Sequence, residues 1–424
     1  MRLLIFLSGL ALSIAAPGSV PRAVHAPLLI PRGDDASLVA DRYVVYLRSG
    51  ASEADHKDAI KSFNIKPKHE YKHLRRGFSA NLDGNTLAGL RRHPAVDFIE
   101  QVTTSSISSS EPVKRALQNS TGTPIEQKSA TWNLGRISNQ NSTSAGESKY
   151  VYDSRAGEGT CTYVIDTGVD DTHPEFEGRA LQIKSFVANS TVDDSPDGHG
   201  THVAGIIGSA SYGVAKKTKI FGIKVLDSNG DAEGDRLIAG EYSVRVPNAS
   251  PGLEYVPVDA ANRTCPNGVV VNYSINSKGY AKSINVAAAE LAKKGYFVAV
   301  AAGNKPRDVA QSSPASEATV CTIGSIDINN KPAVDTGYGP GVDLMAPGVD
   351  IMSLQPDNRT SLLSGTSMAT PHVTGLAAYF ASIYGKSAIP NMCQYLKDVA
   401  VKGAVKEQKL YTANLVATNA VVDA

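Results

Sequence analysis

The chain has 424 residues, with 42 Lys and Arg against 41 Asp and Glu and a net charge of +1. That balance offers nothing to a nucleic acid, and no nucleic-acid partner is expected. Hydrophobic residues make up 42%, as in ordinary globular proteins, and beyond the N-terminus no apolar run is long enough to span a bilayer, so no membrane partner is expected and a monomer is.

Arg2 followed by the apolar stretch Leu3–Ile14 and the small residues at Ser13 and Ala15 has the layout of a secretory signal peptide over residues 1–15. A secreted, extracellular protein follows. Residues 17–40, rich in Pro and small residues, read as an unstructured lead. Tyr43–Leu47 is a β-branched and aromatic run, a predicted strand. Ala54–Phe63 has helical spacing, Phe78–Leu82 alternates like a strand, Leu87 and Leu90 start a short helix, and Val96–Ile99 is a final strand. This is a small, complete α+β unit over residues 43–100. From Thr103 to Thr123 the chain is Ser, Thr and small polar residues, with Lys114-Arg115 inside. It reads as an exposed, cleavable linker, with the cut expected between Lys114 and Lys128. A small unit, a cleavable linker and a large domain together suggest a zymogen, divided into residues 1–15, 16–120 and 121–424.

In the large domain short apolar strands alternate with helices: Cys161–Ile165, a helix opening near His199, Ile220–Val225, Val269–Tyr273, a helix over 281–294, Phe297–Ala301, and a helix after Ser367. This alternation predicts an α/β fold, a mostly parallel sheet with helices on both faces. In an oxidising compartment the cysteines at 161, 265, 321 and 393 suggest two disulfides, for which three connectivities exist. Sequons at Asn119, Asn141, Asn189, Asn248, Asn262 and Asn358 are candidate glycosylation sites. A further sequon at Asn272 falls in a predicted buried strand and is not expected to be modified.

Three segments carry chemistry. Val164-Ile-Asp166-Thr-Gly168 ends an apolar strand in a carboxylate, where sites gather in open α/β sheets. Asp197-Gly-His199-Gly-Thr-His202 surrounds an imidazole with small residues; His202 reads as structural. Ser364-Gly-Thr-Ser367-Met-Ala-Thr-Pro371-His sets a serine at the start of an apolar helix. Taken singly, each fits a bland reading: a turn-capping Asp, a core His, a helix-capping Ser. Together, in the order Asp, His, Ser, they are the order of subtilisin. Over residues 130–424 the chain resembles the subtilisin-like serine peptidases, with proteinase K and its secreted fungal relatives as the most similar branch, and residues 43–100 resemble that family's inhibitor-type propeptide.

The resemblance implies a serine endopeptidase acting on proteins and peptides, with Asp166, His199 and Ser367 as catalytic triad, Asn304 as oxyanion donor, and its own propeptide as an inhibitory partner. It implies substrate contacts at Gly230, Ser274, Ile275, Asn276, Ala301 and Gly303, and disulfides Cys161–Cys265 and Cys321–Cys393. It also implies one structural Ca2+, held by the Asp327 carboxylate with the carbonyls of Ala318 and Val320.

The chain departs from the family where substrate binds. The substrate strand, usually Ser-Leu-Gly-Gly, reads Ser274-Ile-Asn276-Ser277, and the opposite wall reads Gly230-Asp231-Ala232. An alternative reading, a weak or inactive binding protein on the same fold, rests on these departures. A last irregularity lies at 241–251. Joining Gly240 to Leu253 would place Leu237, Ile238, Leu253 and Val256 on one helical face, so this segment, with Pro247 and Pro251, reads as an interruption of a helix.

Overall fold

The computed structural model describes residues 25–31, 38–106, 123–138, 148–233, 236 and 252–420. The signal peptide, Lys114-Arg115, the sequons at Asn119, Asn141 and Asn248, and the 241–251 segment lie outside the described residues. Leu253 and Val256, expected on a helix, are both fully buried in the helix Gly252–Ala260.

The N-terminal unit is a sheet ordered Leu28–Leu29, Val96–Ser106, Leu38–Leu47, Gly77–Asn81, His69–Tyr71, with helices Glu53–Lys61 and Gly84–Leu90. Each helix starts where a side chain takes up a free N–H. Ser52 Oγ accepts from Asp55 N at 3.1 Å while Asp55 returns the bond to Ser52 N, and Asp83 Oδ1 accepts from Thr86 N at 2.7 Å. The run Tyr43–Leu47 is apolar at successive positions because both faces of its strand are buried. Val45 and Leu47 pack with Ala59, Phe78 and Leu90 under the unit's own helices. Val44 and Tyr46 face the other way, into a core shared with Leu253, Val256, Ile284 and Leu291 of the large unit. The unit therefore rests on the helices Gly252–Ala260 and Lys282–Lys293.

Two expectations are corrected here. The lead is not wholly unstructured: Leu28–Leu29 pair in parallel with Ile99–Glu100, and the strand called from Tyr43 starts at Leu38. Nor is Thr103 an exposed linker residue. It is 2% exposed, and the strand begun at Val96 continues through it to Ser106. Ser and Thr lack the apolar signature of a strand, but their backbone groups pair as well as any when a neighbouring edge is presented.

The large unit is a nine-stranded sheet ordered 401–402, Leu415–Val416, Leu344–Pro347, Cys321–Ile326, Phe297–Ala301, Val269–Tyr273, Cys161–Asp166, Lys219–Lys224, Ala180–Ser185. All pairs are parallel except the first. Helices His199–Gly208 and Thr366–Tyr384 cover one face, and Gly252–Ala260 and Lys282–Lys293 the other. Disulfides Cys161–Cys265 and Cys321–Cys393 tie the starts of two strands to a connecting turn and to the helix Met392–Val399 respectively.

Candidate active site

Asp166 ends a central strand, and His199 opens the helix that packs beside it. The approach is close: a Cβ at Gly200 would lie 2.0 Å from the Gly168 carbonyl oxygen, so only glycine fits after the histidine. His199 Nδ1 and Asp166 Oδ1 are 2.7 Å apart, both side chains buried. A polar scaffold holds them. Buried Asp193 accepts from Thr167 Oγ1, Ser195 Oγ and both the N–H and hydroxyl of Thr201, while Ser195 Oγ accepts from His199 N. Burial alone would depress the His199 ring, but the attraction and hydrogen bond of Asp166 outweigh it and leave the ring above the ordinary 6.5. Its Nε2 has no hydrogen-bond partner. His202, three residues on, is held near 3 by burial and shares a hydrogen bond with the Ser361 carbonyl at 3.1 Å, a structural histidine as expected.

Ser367 sits in the first turn of Thr366–Tyr384, next to the end of the strand Val269–Tyr273. Pro371, four residues later, has no N–H to give to the Ser367 carbonyl. Ser274 Oγ fills that vacancy at 2.9 Å, and Ser367 Oγ in turn donates to the Ser274 carbonyl at 3.0 Å. Asn304 lies across from it, its Oδ1 accepting both the N–H and the hydroxyl of Thr366 at 2.7 Å each. Thr366 Oγ1 also accepts from Gly303 N at 3.1 Å. Neither Thr366 nor Asp193 was singled out in the sequence; a threonine beside a serine and an aspartate in a loop carry no distinguishing pattern.

The remaining predicted contact residues converge on one cleft. Gly230, at φ +76, turns the chain into the short strand Asp231–Glu233, and Ser274–Ser277 form the facing wall. Thr104–Ser106 of the N-terminal unit run between them, antiparallel to both, with Ser106 opposite Asp231 on one side and Asn276 on the other. Ile275 is buried beneath, and the Asn276 amide reaches the Ala301 carbonyl at 2.6 Å. The same N-terminal unit grips the large one twice more. Glu100 accepts from the N–H groups of Lys282 and Ser283 at the start of a helix, and Glu254 accepts from those of residues 72–75.

The cation ligands do not converge. Asp327 closes a turn, its Oδ1 accepting from Asn329 N and Lys331 N at 2.8 Å each. The extended strand Cys321–Ile326 separates it from Val320, about 20 Å at the usual rise per residue, so Asp327 cannot share an ion with the carbonyls of Ala318 and Val320. The carboxylate that shares a cavity with those two residues is Asp343. It accepts from Thr322 N at 3.0 Å and from Lys397 Nζ at 2.7 Å, so an ammonium already neutralises it. The expected set, Asp327 with Ala318 and Val320, therefore does not form a calcium site, whereas Asp343 lies beside those two residues and offers oxygen of the hard kind a calcium ion takes. Of the candidate glycosylation sites, Asn189, Asn262 and Asn358 are exposed, whereas Asn272 is buried and hydrogen-bonded to Ser274 and Thr374.

Comparison with known proteins adds to this geometry. The family model for the subtilase family matches residues 157–417, and that for peptidase inhibitor I9 matches residues 42–107. Proteinase R of Parengyodontium album is 43% identical over 422 residues, covering 99% of each chain. The cuticle-degrading protease of Metarhizium anisopliae is 40% identical over 420 residues, covering 99% of this chain and all of that one. A solved cold-adapted subtilisin-like serine proteinase superposes with a TM-score of 0.60 at 32% identity, covering 69% of this chain and 98% of its own.

Proposed function

The chain belongs to the subtilase family and is a serine endopeptidase made as a zymogen, and on that premise we propose the residue roles that follow. Ser367 is the nucleophile, His199 the general base, and Asp166 the group that fixes the imidazole tautomer and stabilises its charged form. Turning the Ser367 hydroxyl from the Ser274 carbonyl to the unpartnered His199 Nε2 readies it for attack on a peptide carbonyl. The proton taken by His199 then goes to the leaving amine. The backbone N–H of Ser367 and the Asn304 amide stabilise the tetrahedral oxyanion, the acceptor end of that amide being held by Thr366.

The observation that carries this reading is the strand Thr104–Ser106, seated in the cleft as a substrate peptide would be, paired on both edges with the walls at 231–233 and 276–277. Residues Asn276 and Ser277 make this pairing despite their unusual sequence, which favours a working cleft over an inactive scaffold. Residues 16–120 serve as the propeptide, the mature domain occupies residues 121–424, and residues 1–15 direct secretion. The mature enzyme works as an extracellular monomer glycosylated at exposed sequons such as Asn189, Asn262 and Asn358. Subtilisin-like proteins commonly bind structural calcium; any such ion in this chain is held by ligands other than Asp327. No helix among the described residues is long and apolar enough to cross a membrane.

A serine-directed fluorophosphonate tests the central assignment. Label on Ser367 in the processed enzyme, absent in Ser367→Ala, is expected; label elsewhere or nowhere would overturn it.

A further inference from the structure

We propose that Asn276 sets the primary specificity of this peptidase by filling the crevice that receives the substrate's acyl side chain, restricting that residue to Gly, Ala or Ser. The proposal rests on the catalytic reading above and deepens it.

The crevice follows from the topology. Val269–Tyr273 and Phe297–Ala301 are adjacent parallel strands, and the segments 274–277 and 302–304 leave their carboxyl ends side by side. In open α/β sheets ligands lie outside the carboxyl ends of the strands. The crevice opens beside Ser367, whose Oγ touches the Ser274 carbonyl. The cleft register places a bound peptide against it. Ser106 lies opposite Asn276, so in an antiparallel pairing the residue opposite Ser274 stands two positions further along a bound strand. That residue has its carbonyl nearest the nucleophile, and its side chain has the crevice to occupy.

In this chain the crevice is bridged. Asn276 Nδ2 donates to the Ala301 carbonyl at 2.6 Å, and Asn276 Oδ1 accepts from Ser312 Oγ at 2.6 Å. Both ends of the carboxamide are thus tied to the facing wall, the amide to the end of the strand Phe297–Ala301 and the oxygen to Ser312 after the turn Val309–Gln311. Gly303, at φ +95, leaves space on the far wall, but the position its Cβ would take is only 3.5 Å from Asn276 Cγ. The amide therefore uses the room that the glycine opens. A large acyl side chain would have to break both hydrogen bonds and leave the Ala301 carbonyl without its donor. A methyl or hydroxymethyl group needs no such displacement.

The test is a set of succinyl-tetrapeptide anilides differing only in an acyl residue of Ala, Leu or Phe, assayed on processed enzyme whose active sites are first counted with a fluorophosphonate. The expected result is a kcat/KM at least tenfold higher for Ala than for Phe, and a Phe-to-Ala ratio raised at least tenfold by Asn276→Gly and by a smaller factor by Ser312→Ala. Wild-type enzyme that labels normally but cleaves the Phe substrate as well as the Ala substrate would overturn the proposal and leave the catalytic reading standing, whether or not the variants fold. Failure to label Ser367 at all would overturn both.

Discussion

Glu254 Oε2 accepts the backbone N–H of His73 at 2.7 Å, joining the large unit to the N-terminal one across 181 residues of sequence. With Glu254 Oε1 on Leu74 at 2.7 Å, a single carboxylate holds a loop of the propeptide. Hydrogen bonds to a charged group contribute about 1.5–3 kcal/mol each, and every 1.4 kcal/mol is about tenfold in affinity. Glu254→Ala is therefore expected to weaken binding of the propeptide to mature enzyme by tenfold or more and to shorten the latency of the zymogen. Titration of purified propeptide against the Ser367→Ala mature domain reads the first effect directly. Unchanged affinity would remove Glu254 from the inhibitory contact.

Burial pushes Glu254 above the ordinary 4.5, against the N–H groups that pull it down, and Glu100 is shifted the same way for the same reason. Both carboxyls become solvated when the propeptide leaves. Their pKa values are raised in the docked state, so docking is favoured where they are protonated and that contribution is lost as pH rises through the raised values. Propeptide affinity is expected to fall as pH rises above the ordinary carboxyl value of about 4.5. The comparison uses Ser367→Ala protein, so that loss of catalysis at acid pH does not enter. Affinity that rises over this range would contradict the sign.

In the proposed mechanism His199 must be neutral to accept the Ser367 proton. Its ring stays above 6.5 because Asp166 outweighs burial, so the acidic limb of kcat/KM is expected to lie above pH 6.5. Asp166→Asn removes the charge and misdirects the tautomer, for an expected loss in kcat of about 10,000-fold, with the residual acidic limb moved to lower pH. Rates measured from pH 5 to 10 on wild type and variant check both parts.

Lys397 supplies a positive charge to Asp343, bonding it at 2.7 Å in the cavity shared with Ala318 and Val320, beside the disulfide Cys321–Cys393. Lys397→Met is expected to lower Tm, by about 2–4 °C for each kcal/mol lost. Half of such a gap should close on adding millimolar calcium, since the freed Asp343 carboxylate can then take a hard cation. The wild-type Tm sets the reference in both buffers. A gap identical with EDTA and with calcium would mean that the pair does not stand in for an ion.

The parts of this protein legible in its sequence are those encoded by local pattern. Val269–Tyr273 and Phe297–Ala301 read as buried parallel strands because they are unbroken apolar runs, and the observed spans match. The segments around Asp166, His199 and Ser367 were recognisable because close packing demands glycine and small residues at fixed places, as at Gly200. What was hidden depends on partners distant in sequence. Thr104–Ser106 form a strand only because 231–233 and 276–277 present edges to them. Asp327 and Asp343 are both acidic residues flanking strands, and only the length of Cys321–Ile326 in space tells which one reaches Val320. Thr366 and Ser312 act through the side chains of Asn304 and Asn276, a relation no single-residue pattern carries.

Thr366 holds the side chain of Asn304, the proposed oxyanion donor. Both of its donors end on Asn304 Oδ1 at 2.7 Å, and its hydroxyl also takes the Gly303 N–H, so one side chain fixes the plane of the Asn304 amide and the loop that carries it. Asn304→Ala is expected to lower kcat by about 100- to 1,000-fold with little change in KM, because the lost bond forms only in the transition state. Thr366→Val keeps the backbone N–H contact and removes the hydroxyl one. It should lower kcat by a smaller factor, about tenfold, again with KM nearly constant. Thr366→Ser keeps a hydroxyl at the same place and should recover most of that loss. In the double variant the threonine change should cost almost nothing further, since it acts through a side chain already absent. Additive losses across the cycle would place Thr366 in some other role.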